Sequence, residues 1–176
     1  MFEPLGLASA FFPHRTRPAA GTTELAPLIL AGTDASTFTS VTLDWSGGGI
    51  AATAADLARL GAALHDGTLI SPASMSYLSK PRNRFRPGLD YGAGAMRVRV
   101  EGLAPWLRGY PQLVGHLGVT AAHLWHDPVT GTDIVLNHGD TRQLGASFRL
   151  LIRMLATLRT LPVAEAITYS SGRQSS

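Results

Sequence analysis

Val114-Gly115-His116-Leu117-Gly118-Val119-Thr120 runs on through Trp125-His126-Asp127-Pro128 and Gly131 to Ile134-Val135-Leu136-Asn137, and this stretch decides the fold. An apolar run, a turn rich in Asp, Pro and Gly, and a second β-branched run read as two antiparallel strands joined by a short loop. Two glycines flank His116 closely. A strand glycine gives up side-chain packing and leaves its peptide groups open to a ligand or another chain, so the segment around His116 is the first candidate for a site.

Working outward, Met96, Val98 and Val100 alternate with Arg97, Arg99 and Glu101, the pattern of a strand with one wet face. Residues 102–112, carrying Pro105, Trp106, Gly109 and Pro111, read as a loop, and so does Pro81 to Gly88. Beyond the hairpin, Leu150, Leu151, Met154, Leu155 and Leu158 give the apolar face of a helix from about Gly145 to Leu161, with Arg149 and Arg153 outside. Thr53 followed by Asp56 fits a capping box, and Leu57, Leu60, Gly61 and Leu64 fall at i, i+3, i+4 and i+7. That spacing predicts a helix over 54–66, stopped by Gly67. Ser71-Pro72 starts a shorter helix to about Ser79. Residues 1–22 read as loop with one helical turn around Leu7–Phe11. Residues 23–45 read as irregular, with a short strand at 38–43.

The 176 residues suffice for one domain burying about 68–70% of its unfolded surface. With 45% hydrophobic and 15% charged residues the composition is that of a globular chain, and a net charge of +3 does not force a polyanionic partner. Arg82, Arg84 and Arg86 around Phe85 read as a solvated loop, so no nucleic acid is expected. The absence of cysteine excludes disulfide and thiolate chemistry. No stretch reaches the roughly 20 apolar residues of a membrane span. Met1-Phe2-Glu3-Pro4 opens no secretory signal, and the compartment is not written in the sequence.

His116-Leu117-Gly118 resembles the third active-site motif, Lys-Thr-Gly or His-x-Gly, of the serine β-lactamases, penicillin-binding DD-peptidases and related esterases. Four further landmarks follow the family's order. Phe2-Glu3-Pro4-Leu5-Gly6-Leu7 resembles its Pro-Leu-Gly-Met segment, and Ser46-Gly47-Gly48-Gly49 through Thr53 to Asp56-Leu57 resembles its Gly-Gly-x-x-Ser-Thr-x-x-Asp-Leu helix start. Tyr91-Gly92-Ala93-Gly94 and the hairpin then come in sequence. The resemblance implies an α+β fold with helices on an antiparallel sheet. In the intact family that sheet has five strands, two of them supplied with a helix from the N-terminal side, so this chain is expected to supply the last three. Residues 1–162 are then the C-terminal part of a β-lactamase-like domain and 163–176 a tail. A sheet cut there would expose an edge open to self-association or to a partner.

The resemblance assigns His116 a place beside the bound acyl group, assisting proton traffic. Gly118 completes the motif, and the backbone N–H of Val119 becomes one of two oxyanion donors. Leu117 replaces the usual Thr or Ser, whose hydroxyl would help hold a substrate carboxylate. The resemblance implies a small-molecule ester or amide, or a peptidoglycan-like substrate, and the missing hydroxyl argues against efficient β-lactam or DD-peptide turnover and for ester-like substrates. The nucleophile of the family sits in Ser-x-x-Lys, but Lys80 is the single lysine beside fourteen arginines, and Tyr77 stands three positions before it. The second motif, Tyr-x-Asn, has no match beyond the loose Tyr77-Leu78-Ser79 and Tyr169-Ser170-Ser171. An inactive hydrolase part is therefore one reading, and a non-catalytic binding module or degenerate relative is the other.

No cofactor or metal is expected. His116 and His126 lie ten residues apart, about 34 Å along one extended strand, with His123 on the opposite side. His138 could return toward Thr120, but no further ligands suggest themselves. Gly47-Gly48-Gly49-Ile50-Ala51-Ala52 formally fits a dinucleotide fingerprint but lacks a buried strand before it. Gly145-Ala146-Ser147-Phe148-Arg149 approaches a nucleophile elbow without its last glycine.

Overall fold

The computed structural model describes residues 2–13, 15–16, 24–40, 47–103 and 105–160. The elements named below are β1 (Ile29–Leu30), β2 (Thr33–Asp34), α1 (Ala54–His65), α2 (Pro72–Ser79), β3 (Asn83–Arg86), β4 (Leu89–Tyr91) and β5 (Met96–Arg99). They continue with α3 (Val100–Leu103), β6 (Gln112–Leu117), β7 (Ala122–Asp127), β8 (Thr132–Asn137) and α4 (Leu144–Leu158). Strands β3 to β8 form one antiparallel sheet in simple sequential order, and β1 and β2 form a separate two-residue hairpin.

The helices sit where capping and periodicity put them. Thr53 accepts the Asp56 N–H at 3.2 Å and opens α1, and Ser71 accepts the Ser74 N–H at 3.1 Å and opens α2, with Pro72 in its first turn. The capping box is only half formed. The Asp56 carboxylate turns away to accept the Ser9 N–H at 2.8 Å and the Arg59 guanidinium at 3.0 Å, anchoring the opening segment to α1. The segment's helical turn is at Glu3–Leu5 rather than Leu7–Phe11, and Phe11 instead bridges Ala51.

The α+β class with an antiparallel sheet is as expected, but the sheet holds six strands where three were read. Asn83–Arg86 lies within the loop expected from Pro81 to Gly88 and carries no alternation. It is an edge strand, exposed at every position, so pairing alone makes it a strand and leaves no hydrophobic signature. The apolar run from Val114 to His126 is two strands, because Gly118 to Ala121 turns the chain back with Ala121 at φ 59°. That turn lacks Pro, Asn and Asp and so gave no warning. The strand from Met96 stops at Arg99, and Val100–Leu103 is a helical turn. Of the strand expected at 38–43, none of Phe38–Ser40 belongs to a strand and 41–43 lie outside the described residues, as does the tail. The first hairpin comes earlier, at β1–β2. Its two central residues, Ala31 and Gly32, have φ of 50° and 95°, as a two-residue primed turn requires.

The core lies between the sheet and α4. Leu89, Met96, Val98, Leu113, Trp125, Ile134 and Leu136 from the sheet meet Leu151 and Leu155 of α4, with Val100 and Leu107 closing one end. On the other face α1 crosses β7 and β8. A methyl group on Gly61 would stand 2.7 Å from the Asp133 carboxylate and 3.2 Å from Leu124, so only glycine lets α1 approach so closely. The Tyr91-Gly92-Ala93-Gly94 segment has a structural task. The N–H groups of Ala93, Gly94 and Ala95 all reach the Leu78 carbonyl, at 2.9, 3.3 and 3.2 Å, and so satisfy the end of α2.

Candidate active site

His116, Gly118 and Val119 lie together at the exposed end of β6. His116 pairs with Leu124 of β7, and its ring is exposed. Gly118 opens the turn, its N–H donating to the Ala122 carbonyl at 2.7 Å, and the Ala121 N–H returns to the Gly118 carbonyl at 3.1 Å. Between them Val119 is 78% exposed, and among the described residues its N–H has no hydrogen-bond partner. Leu117 turns toward the apolar cluster. The two flanking glycines differ in what they permit. A methyl on Gly115 would stand 2.0 Å from the Leu124 carbonyl oxygen, so what approaches there is the neighbouring strand and no ligand is needed to explain it. Gly118 would meet only ordinary contacts.

Tyr91 joins this group although sequence reading assigned it no chemistry. Its hydroxyl lies 2.5 Å from His116 Nε2, with the rings edge to face at 5.5 Å and 82°. The signal was the register rather than a motif. Tyr91 pairs with Met96 and Met96 with Gly115, so the end of β4 falls one position from His116 across the sheet. Tyr77 stands apart on the outer side of α2, 59% exposed, with the Arg82 guanidinium 4.5 Å over its ring. Tyr169 lies outside the described residues.

The separation expected for His116 and His126 is overturned by the same turn that splits the strand. His116 pairs with Leu124 and His126 with Val114, which makes the two histidines diagonal neighbours on one face, about 7–8 Å apart along the sheet. They are still not a ligand pair. His126 Nδ1 faces the Asp133 carboxylate at 3.1 Å, and its ring stacks on His65 of α1 at 3.9 Å with planes 11° apart. Burial, reinforced by the charge of His126, lowers the His65 pKa to about 4. Burial also raises the Asp133 carboxyl, against the opposing effect of its bond to His126. Among the described residues no three His, Asp or Glu side chains converge to hold a metal ion.

A second serine–histidine contact tests the elbow-like Ser147. Ser147 is fully buried in α4, 2.8 Å from His123 Nε2. The Trp125 indole N–H donates to His123 Nδ1 at 2.8 Å, which places the ring's own proton on Nε2. His123 therefore donates to Ser147, and Ser147 donates onward to the Leu144 carbonyl at 2.9 Å. A base that already holds a proton toward the serine cannot take one from it. This is a structural relay that satisfies every buried group in it. Burial and nearby His138 keep the imidazole neutral, with a pKa lowered to about 4. His138 itself comes back to the Gly118–Ala121 turn, as its N–H reaches the Ala121 carbonyl at 3.3 Å, but its Nε2 is buried with no partner among the described residues.

The described helices include none long and apolar enough to cross a membrane. No curated protein sequence matches the chain. Among solved structures, D-amino acid amidase from Ochrobactrum anthropi SV3 is similar in fold. In its complex with L-phenylalanine amide it superposes with a TM-score of 0.67 at 18% identity, over 91% of this chain and 50% of the amidase. In its complex with D-phenylalanine the values are 0.69 and 17%, over 90% and 50%. The chain thus spans about half the length of these structures. The profile of the Beta-lactamase family matches residues 1–155, which contain the His116 strand, the α1 start and most of α4, and on that match the chain belongs to the β-lactamase family.

Proposed function

We propose that this chain is the C-terminal part of a serine β-lactamase-like hydrolase that cleaves small esters or amides through an acyl-enzyme, with its nucleophile supplied from outside the residues present here. The observation that carries the reading is the end of β6, where His116 stands exposed beside the N–H of Val119, which has no partner among the described residues. Such an N–H is what a developing oxyanion needs, and it gains strength when water is excluded around it. Leu117 packs inward and offers no hydroxyl for a carboxylate, which favours neutral substrates. The amidase similar in fold is recorded with L-phenylalanine amide, so a small amide is the first substrate to try.

Because the sequence holds no Ser-x-x-Lys, the chain alone is inactive in this reading. Treatment with a fluorophosphonate or a penicillin, followed by intact mass measurement, should give no adduct. A stoichiometric mass gain mapped to one serine would overturn the assignment.

The second reading, a binding module, draws support from the far side of the sheet. Among the described residues no strand pairs with the outer edge of β8, and Leu150 and Leu158 of α4 are 39% and 37% exposed. An open edge with apolar side chains beside it recruits another chain. Sedimentation of the full chain should show self-association rather than a single 18.6 kDa species. A lone monomer with cooperative melting would count against both an open edge and an incomplete domain.

A further inference from the structure

Tyr91 and His116 belong to strands separated by β5, yet the Tyr91 hydroxyl lies 2.5 Å from His116 Nε2 and the rings meet edge to face. Building on the hydrolase reading, we propose that Tyr91 is a positioning residue that holds His116 in its Nδ1–H form. His116 then meets a ligand as a hydrogen-bond donor rather than as a base.

A neutral phenol and a neutral imidazole can share their contact in two ways. The phenol O–H is the better donor and the imidazole lone pair the better acceptor, so the Tyr91 hydroxyl donates and Nε2 accepts. The ring proton is then left on Nδ1. Among the described residues Nδ1 of His116 has no partner, and the ring is exposed. The end of β6 consequently carries two donors without protein acceptors, the Nδ1–H of His116 and the backbone N–H of Val119. That inventory suits a neutral ligand presenting carbonyl oxygens, and it gives the site no free base from this strand. The nucleophile's proton would then have to leave through a group outside the β6 strand.

The molecule contains its own control. His123 accepts at Nδ1 from Trp125 and donates from Nε2 to Ser147, the opposite tautomer, seven residues away on the next strand. The test is long-range proton–nitrogen correlation of the histidine side chains in the full chain, at a pH where the imidazoles are neutral. His123 should appear as Nε2–H and His116 as Nδ1–H. Tyr91→Phe should return His116 to the Nε2–H form that free imidazole favours and leave His123 where it was. A wild-type His116 already in the Nε2–H form would overturn the proposal, as would an Nδ1–H form indifferent to Tyr91→Phe. If the variant unfolds, the His123 signals move as well, and the wild-type tautomer decides alone. No turnover is needed, so loss of the hydrolase reading by labelling and loss of this assignment are separate results.

Discussion

The two faces of the sheet use histidine in opposite ways. On the α4 side His123 is 2% exposed and both ring nitrogens are engaged, one by Trp125 and one by Ser147, inside the apolar cluster. On the other side His126 bonds Asp133 and stacks on His65, and at the strand end His116 is exposed with one bond, to Tyr91. The difference follows from what covers each face. A buried polar group must be fully satisfied or it costs stability, so the α4 face fixes its histidine completely. The end of β6 is under no such demand and can keep donors for a ligand.

Removing the keystone of the α4 face should have the largest effect. Trp125 is fully buried and also fixes the His123 tautomer, so Trp125→Ala should cost about 3–5 kcal/mol from the cavity, with the unpaired Nδ1 adding to it. Urea unfolding would read this, and a loss below about 1 kcal/mol would show that the two faces do not differ as described.

Acid should come next. His123 has a folded pKa of about 4 against an ordinary 6.5, so its contribution is fully present above about pH 6.5. Between there and pH 4 the unfolded chain takes up a proton that the folded chain refuses, and stability falls by about 3 kcal/mol in total. His65 acts in the same direction, with a smaller effect because it is more exposed. Unfolding measured across this window should lose much of its slope in His123→Gln. A slope unchanged by that substitution would place the acid sensitivity elsewhere.

The smallest effect is expected at His116, where the ring is exposed and, among the described residues, hydrogen-bonds only Tyr91. His116→Ala should change stability by less than about 0.5 kcal/mol. A loss comparable to that of Trp125→Ala would mean that the ring supports the fold and is not free to serve a ligand.

How much of this was legible follows element by element. Helix α1 could be read because its cap, its apolar spacing and its glycine stop all agree in one short window, and α4 because its apolar face repeats over four turns. The antiparallel hairpin into β8 could be read from its Asp-Pro-x-x-Gly turn. Strand β3 could not, since a strand exposed at every position is held only by pairing to β4. Nor could the break between β6 and β7, which rests on an alanine at positive φ that the surrounding strands impose.

The site divides along the same line. The sequence by itself determined that a strand runs up to His116-Leu117, that Gly118 and Val119 follow directly, and that no Ser-x-x-Lys is present, because these are matters of residue identity and short spacing. Only the tertiary structure decided that Tyr91 is the partner of His116, that His126 is its neighbour and that Gly115 serves the strand beside it. These facts depend on cross-strand register, which is set by the turns and the pairing from β4 through β7, and a one-residue slip in any of them would part Tyr91, His116 and His126.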